Sequence, residues 1–190
     1  MVNYIVSGIE RSGTSMMMQI LYKGGAPIAF DDSRPPDYHN PKGYYELEGG
    51  KVISKLMEGT FPFEKYDEKF IKITAYGLKF LPQGNYKIIY MVRDIDEVMD
   101  SMEKMSGPID REKEKPVFEK LNKFSLNLIE KRDDMEYIVV NYRDVINNPQ
   151  KEIGRINHFL GGMLDLESAV SAVDPKLYRN IKMKGDKNGT

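Results

Sequence analysis

Residues 6–18, VSGIERSGTSMMM, combine residue types that can bind a phosphate or sulfate group. Counted from Gly8, the stretch reads G-I-E-R-S-G-T-S, which has the spacing of the phosphate-loop pattern G-x-x-x-x-G-K-[ST]. Thr14 takes the position of the lysine, and Arg11 supplies a cation inside the loop. Backbone N–H groups of such a loop point at an anion, and a guanidinium can bind two of its oxygens. The stretch therefore favours a short anionic group over a nucleoside triphosphate. A plain strand–helix turn with a solvated arginine is the alternative.

A second stretch, YMVRDIDEVMDSM at 90–102, places a cation and a hydroxyl where they could hold another phosphate. Arg93 ends an apolar run, and Ser101 follows eight residues later on a predicted helix. An arginine at the carboxyl end of a strand and a hydroxyl on the next helix can converge on one phosphate at the crevice of a parallel sheet. The alternative for Arg93 is a structural ion pair with Asp94 or Asp96.

The elements that must position these residues alternate between apolar runs and amphipathic segments. We predict strands at 2–7, 70–74, 86–92 and 136–142, and helices at 14–23, 46–58, 95–105, 113–132 and 149–160. Residues 24–45 are rich in Pro, Gly, Asp and Asn and predict a long surface loop, which in a compact domain is often functional. The alternation predicts a single α/β domain over 1–180 with a mainly parallel central sheet flanked by helices. A polar, flexible tail is expected at 181–190.

Composition restricts the class of protein and its partners. The 190 residues are 41% hydrophobic and 30% charged, which is ordinary for a globular domain that buries roughly 70% of its unfolded surface. A net charge of −1 predicts no binding to nucleic acid, and the absence of cysteine excludes disulfides and thiolate metal sites. The sequence shows neither a signal peptide nor an apolar run long enough to cross a membrane, so we expect a cytoplasmic protein with no membrane contact.

Together the two phosphate stretches resemble the motifs of sulfotransferases that use 3′-phosphoadenosine 5′-phosphosulfate (PAPS). The 5′-phosphosulfate loop of that family reads K/R-S-G-T-[ST], and RSGTS at 11–15 matches it in the arginine form that is typical of bacterial and tyrosylprotein sulfotransferases. The family's 3′-phosphate motif has the arginine–serine spacing of Arg93 and Ser101. The resemblance implies a P-loop NTPase-like fold.

Three further stretches resemble the same family in the same order along the chain. FIKITAYGLKFLPQ (70–83) is similar to the strand whose lysine lies beside the sulfuryl group, here Lys72. VNYRDVINNPQKEIGRINHFLG (140–161) is similar to the segment whose tyrosine approaches the adenine, and VDPKLYRN (173–180) to the ending of many bacterial members. The resemblance implies a cofactor-binding set of Arg11, Ser12, Gly13, Thr14, Ser15, Arg93, Ser101 and Tyr142.

The implied reaction moves a sulfuryl group from PAPS, which becomes 3′-phosphoadenosine 5′-phosphate (PAP), to a hydroxyl or amine acceptor. Such an in-line transfer depends on positioning and on charge stabilisation, and Arg11 and Lys72 are the candidates to stabilise the leaving oxygen. No metal is expected, because the donor has no γ-phosphate to neutralise.

A general base must take the proton of the acceptor, and here the sequence departs from the family pattern. Many cytosolic members carry a histidine on the strand that carries Lys72, but KITAYG contains none. Tyrosylprotein sulfotransferases use a glutamate after the first helix, and NPKGYYELEGG offers Glu46 as first choice and Glu48 as second, with His39 third. Glu46 could instead be an acid of a helix's first turn, favoured by the helix dipole. His158 is assigned a structural role.

Two other functions stay open: a P-loop kinase or NTPase with an altered loop, and a non-catalytic protein that binds a PAP- or PAPS-type nucleotide. The acceptor, whether a small molecule, a carbohydrate or a peptide, and the oligomeric state are not specified by the sequence. Aromatic residues of the 24–45 loop could line an acceptor pocket or could simply pack together; these are Phe30, Tyr38, Tyr44 and Tyr45.

Overall fold

Four short apolar runs form the strands of one sheet. The computed structural model describes residues 2–38 and 40–174, and in them the strands are β1 (Asn3–Gly8), β2 (Phe70–Lys72), β3 (Tyr86–Val92) and β4 (Met135–Asn141). Their order is β2-β1-β3-β4, and every neighbouring pair is parallel. All four carboxyl ends therefore meet at one edge of the sheet, and the predicted α/β fold with a parallel central sheet is confirmed. His39 and the predicted tail lie outside the described residues.

Helices connect and flank these strands. Within the described residues they are α1 (Thr14–Lys23), α2 (Val52–Met57), α3 (Ile95–Ser106), α4 (Arg111–Lys131), α5 (Tyr142–Asn147), α6 (Pro149–Phe159) and α7 (Leu166–Ser171). Short 3-10 helices occur at Glu48–Gly50, Phe63–Tyr66 and Ala75–Phe80. The helices α1, α3, α4 and α6 agree with their predicted bounds to within two residues at each end, whereas the short helices α5 and α7 were not predicted.

The helix predicted at 46–58 is shorter in the structure, where α2 begins only at Val52. Gly49 and Gly50 have φ values of 63° and 89°, a left-handed backbone that an α-helix cannot continue. Glu46 therefore precedes the helical turn, and its explanation as an acid of a helix's first turn is wrong.

Two apolar cores lie on the two faces of the sheet, because successive strand residues point to opposite faces. Val6 and Ile89 pack with α1, α5, α6 and α7 on one face. Ile5 and Ile88 pack with α2, α3 and α4 on the other face. These four side chains are fully buried, and burying each contributes about 1.5–3 kcal/mol. The sheet is thus a rigid support whose exposed carboxyl edge is available for a site.

The long segment between α1 and α2 is only partly a surface loop. It forms a bridge from Ile28 to Phe70 beside β2, and it buries Tyr44 and Leu47. Lys72, the last residue of β2, donates to the carbonyl of Tyr44, so the segment returns to the carboxyl ends of the strands. No helix among the described residues is long and apolar enough to cross a membrane.

Candidate active site

A cleft of about 390 Å³ opens at the carboxyl edge of the sheet. It brings together nine residues that the sequence analysis selected, namely Arg11, Gly13, Thr14, Ser15, Glu46, Lys72, Arg93, Ser101 and Tyr142. They come from the segments that follow β1, β3 and β4, from the last residue of β2 and from the loop before α2. Parallel strands deliver these segments to the same edge, which is the usual location of a ligand site in an α/β sheet.

The loop after β1 has the shape of an anion cradle. Arg11 and Gly13 adopt positive φ values of 63° and 104°, and Gly13 is the N-cap of α1 without any side-chain cap. Within residues 2–38 and 40–174, no hydrogen-bond acceptor is found for the N–H groups of Gly13, Thr14, Ser15 and Met16. The first N–H groups of a helix lack partners in the helix itself, and together they attract an anion. The loop therefore fits a phosphate or sulfate group.

Ser12 has a different place from its neighbours in this loop. Its side chain is fully buried, and its hydroxyl donates to the carbonyl of Ile9 at 2.7 Å. Its backbone N–H donates to the same carbonyl at 3.2 Å. Both donors of Ser12 are thus used to close the turn, and Ser12 does not line the cleft. Its cofactor-binding role stays a prediction, while its contribution to the shape of the loop is visible.

The two phosphate motifs meet through Arg11. Its Nε donates to Ser101 Oγ at 2.9 Å, and its backbone carbonyl accepts from Arg93 Nη1 at 3.2 Å. Burial lowers the pKa of the Arg11 guanidinium, although an arginine stays protonated in proteins. Residues 90 positions apart therefore form a single cationic site.

Arg93 is held by a carboxylate other than those the sequence suggested. Its Nε donates to Glu97 Oε2 at 3.1 Å, and both side chains are almost fully buried. Asp94 instead caps α3, where its carboxylate accepts from the N–H groups of Asp96 and Glu97. The guanidinium of Arg93 also lies over the ring of Tyr142, 4.4 Å from its centroid.

Lys72 also lines the cleft, and its side chain is 6% exposed. Its ammonium donates to Ser15 Oγ at 3.0 Å, to the carbonyl of Tyr44 at 2.9 Å and to Glu46 Oε1 at 2.9 Å. Burial lowers the pKa of Lys72, and the nearby carboxylate of Glu46 opposes that effect. The ammonium is thus fixed beside the first turn of α1.

Glu46, the first-choice base, lies between two cations. Arg34 Nη1 donates to Glu46 Oε2 at 3.0 Å, and Lys72 donates to Oε1. Burial raises the pKa of Glu46, but Lys72 and then Arg34 outweigh it, so the pKa lies below its ordinary value of 4.5. At neutral pH Glu46 is therefore ionised, as a base must be, but it is a weak base while both cations remain bound.

The second-choice base, Glu48, lies outside the cleft. Its carboxylate accepts a hydrogen bond from Lys55 Nζ at 2.7 Å. His158 is exposed on α6 and does not line the cleft either. His39 falls outside the described residues, although its neighbour Asn40 lines the cleft.

Sequence reasoning missed two residues that shape this site. Arg34 stacks on the ring of Tyr44, 3.6 Å from the centroid, and binds Glu46; nothing in its loop sequence distinguished it from a solvated charge. Glu97 could have been found, because it is an acid in the first turn of the predicted helix, four residues after Arg93. Of the four loop aromatics, only Tyr44 lines the cleft, whereas Phe30 and Tyr45 pack against each other.

The cleft is positively charged in a protein whose net charge is −1. Its lining contains six cationic side chains, Arg11, Arg34, Lys42, Lys72, Arg93 and Lys104, and three acidic ones, Glu10, Glu46 and Asp174. Among residues 2–38 and 40–174, no group of three or more His, Asp or Glu side chains could hold a metal ion. The local excess of cations favours an anionic ligand.

Comparisons with known proteins agree with this arrangement. The chain matches the model of the sulfotransferase domain family over residues 3–188. The sulfotransferase domain from the Synechococcus PCC 7002 olefin synthase is 17% identical, with a TM-score of 0.53 over 97% of this chain and 89% of that domain. Mouse sulfotransferase SULT7A1 complexed with PAP is 16% identical, with a TM-score of 0.52 over 90% of this chain and 62% of the mouse chain. These likenesses show a shared fold, and no curated protein sequence matches the chain.

Proposed function

Since the chain belongs to the sulfotransferase domain family, we propose that it transfers a sulfuryl group from PAPS to a hydroxyl or amine acceptor by in-line displacement. The observation that carries this proposal is the contact between the two phosphate motifs, in which Arg11 Nε donates to Ser101 Oγ and Arg93 donates to the carbonyl of Arg11. A donor with phosphates on both sides of its ribose needs two adjacent anion sites. This contact joins two such sites at one edge of the sheet.

The loop after β1 holds the 5′ end of the donor in this proposal. N–H groups at the start of α1 bind the phosphosulfate oxygens, and the guanidinium of Arg11 adds a bidentate cation. Bound PAPS would supply the sulfuryl group. Lys72, whose ammonium is tied to the start of α1 through Ser15, stabilises the charge that develops on the leaving oxygen.

The 3′ end of the donor is assigned to Arg93 and Ser101. Tyr142 is proposed to contact the adenine, and its ring is fixed between Gly13 and Arg93. These three residues follow β3 and β4, whereas the 5′ end is bound after β1. The nucleotide would then lie across the crevice between the strands, where α/β sheets bind nucleotides.

Glu46 is the proposed general base, and its ion pairs set a condition for that role. A carboxylate that holds two cations has a depressed pKa and accepts a proton poorly. Movement of Lys72 away from Glu46 would raise the pKa of Glu46 towards its ordinary value. Glu46 therefore becomes a stronger base if Lys72 turns towards the anionic donor.

The same ion pairs favour a second candidate function, a protein that binds the nucleotide without catalysis. If Glu46 serves only to hold Lys72 and Arg34, the cleft keeps its donor site but has no base among the residues described near Lys72. This candidate predicts normal PAP binding with no transfer to any hydroxyl or amine acceptor.

Calorimetry on the wild-type protein tests the proposed nucleotide class. We expect PAP to bind without a metal ion, and ATP to bind much more weakly with or without Mg²⁺. Binding of ATP–Mg²⁺ without binding of PAP would establish the kinase or NTPase alternative. Turnover of PAPS with a panel of hydroxyl and amine acceptors then separates the enzyme from the binding-only protein.

An Arg93→Ala variant tests the assignment of the 3′-phosphate. We expect PAP affinity to fall about tenfold or more, because a charge-assisted hydrogen bond is lost, while adenosine 5′-phosphosulfate, which lacks the 3′-phosphate, is little affected. Arg111→Ala is the matched control, since Arg111 also pairs with acids of α3 but lies outside the cleft. Equal losses for the two nucleotides would refute this role of Arg93.

A further inference from the structure

Glu97 is a buried carboxylate shared by two arginines from different strand ends. Its side chain is 1% exposed. Arg93, after β3, donates to it through Nε at 3.1 Å, and Arg143, after β4, pairs with its other oxygen through Nη2. A carboxylate at this depth is costly unless it is paired and hydrogen-bonded. The ion pairs with Arg93 and Arg143 meet that requirement.

Local geometry directs Glu97 towards Arg93. Glu97 stands in the first turn of α3, four residues after Arg93, and its Oε2 accepts from Arg93 Nε. Asp94, which is nearer in sequence, is used to cap the helix. The carboxylate of Glu97 is therefore the anion that meets Arg93 at the end of β3.

Three contacts fix the plane of the Arg93 guanidinium. Glu97 accepts from Nε, the carbonyl of Arg11 accepts from Nη1, and the ring of Tyr142 supports the guanidinium face. Arginine loses considerable rotamer freedom when it binds a ligand, and a side chain that is already oriented loses less. The carboxylate also offsets the mutual repulsion of Arg93 and Arg143.

We propose that Glu97 is a positioning residue for recognition of the ligand's 3′-phosphate. It orients Arg93 before the nucleotide arrives and, through Arg143, anchors that arginine to the segment after β4. The inference rests on the proposed function, because it presumes that Arg93 binds the 3′-phosphate of a PAPS-type nucleotide. Glu97 itself does not line the cleft.

Binding of PAP and of adenosine 5′-phosphate tests the role of Glu97 in recognition of the 3′-phosphate. PAP and adenosine 5′-phosphate differ only in the 3′-phosphate, so the ratio of their affinities measures recognition of that group. We expect Glu97→Gln to lower the ratio about tenfold, because the misdirected Arg93 no longer binds the phosphate well, while adenosine 5′-phosphate affinity changes little. Glu103→Gln is the control, since Glu103 pairs with Arg111 on the same helix outside the cleft.

The direction in which the affinity ratio changes distinguishes a positioning role of Glu97 from a simple effect of its charge. Loss of a negative charge near the site would by itself strengthen the binding of an anion, so a ratio that rises or stays constant in Glu97→Gln overturns the inference. An equal loss for both nucleotides, together with a lower melting temperature, indicates a merely structural role and overturns it as well. In an Arg93→Ala background, Glu97→Gln should have no further effect on the ratio.

Two further measurements keep the test decisive. If Glu97→Gln does not fold, Glu97→Asp retains the charge but shortens the side chain, and a reduced ratio is again expected; an unchanged ratio would contradict the proposal. A wild-type protein that does not prefer PAP over adenosine 5′-phosphate refutes the proposed function itself. A wild-type preference that persists in the Glu97 variants refutes only the role of Glu97.

Discussion

At the scale of single residues, Glu46 shows how two neighbouring cations change the chemistry of a carboxylate. The sequence offered it as a base, but the fold places it between Lys72 and Arg34, where its pKa is depressed. An enzyme that relies on such a base is active only above that pKa, since the base must be deprotonated. The acid limb of the pH profile therefore identifies the base.

The pH dependence of kcat/KM for PAPS turnover should distinguish Glu46 from His39. Because the pKa of Glu46 lies below 4.5 in the free protein, we expect activity to be constant between about pH 5.5 and 7 and to fall only in more acidic solution. A histidine base would instead give a fall centred near its ordinary pKa of about 6.5.

Variants of Glu46 and His39 show which of the two residues produces the acid limb of the pH profile. Glu46→Gln should retain PAP affinity and lose turnover, and His39→Gln should retain both. An acid limb near neutral pH that disappears in His39→Gln would transfer the role of base to His39. Full turnover in Glu46→Gln would exclude Glu46 regardless of the profile.

Residues at motif spacing were predictable, and residues joined by long-range contacts were not. The motif spacing predicted that Arg11, Arg93 and Ser101 would converge, and all three line one cleft, while their roles in binding stay a prediction. Arg34 lies in an irregular segment, and its contacts with Tyr44 and Glu46 depend on how that segment folds over the sheet. No local pattern encodes such a fold.

At the scale of elements, the start of α1 depends on the absence of a side chain at Gly13. A Cβ atom there would lie 2.4 Å from Cδ2 of Tyr142, and the φ value of 104° is unfavourable for any residue other than glycine. Since Tyr142 also supports Arg93, it has little room to move. One glycine thus permits the phosphate loop, the tyrosine and the second phosphate motif to pack together.

Gly13→Ala should therefore weaken PAP binding about tenfold or more and lower the free energy of unfolding by about 1–3 kcal/mol. Calorimetry and thermal unfolding measure the two effects. Gly25→Ala is the control, because Gly25 also has a positive φ of 85° just after α1 but a Cβ there meets no atom within 4 Å. It should lose stability and keep PAP affinity. Unchanged PAP binding by Gly13→Ala would contradict the tight packing inferred here.

The bounds of helices and strands were predicted well where a helix had a long amphipathic repeat or a strand was buried along its whole length. The run YKIIYMV gave the bounds of β3 without error, because a strand buried on both faces is almost continuously apolar. α5 and α7 have only six residues each, too few for a helical repeat to be recognised. α5 also begins at the residue after β4 ends, so no loop residues mark the boundary.

At the scale of the whole molecule, the net charge is small, but positive side chains are concentrated in the cleft. The chain is almost neutral, with 28 basic and 29 acidic residues, yet the cleft lining has six cations against three acids. The net charge of −1 predicts no broad basic field around the protein, but it could not indicate where the fold would concentrate cations. A concave site with one sign of charge focuses the field and attracts an oppositely charged ligand.

This concentration of charge predicts that PAP binding depends on salt although the protein is nearly neutral. Between about 0.01 M and about 1 M salt the Debye length falls from about 30 Å to about 3 Å, so the attraction of the cleft for a polyanion is progressively screened. We expect the Kd of PAP, measured by calorimetry in sodium chloride, to rise steadily over this range. Adenosine, which carries no phosphate, should show little change and serves as the control.

Lys104→Gln removes an exposed cation of the cleft and should reduce the salt dependence of PAP binding, whereas Lys123→Gln on the surface of α4 should leave it unaltered. A Kd of PAP that does not vary with salt would mean that short-range contacts alone, and not the field of the cleft, hold the nucleotide.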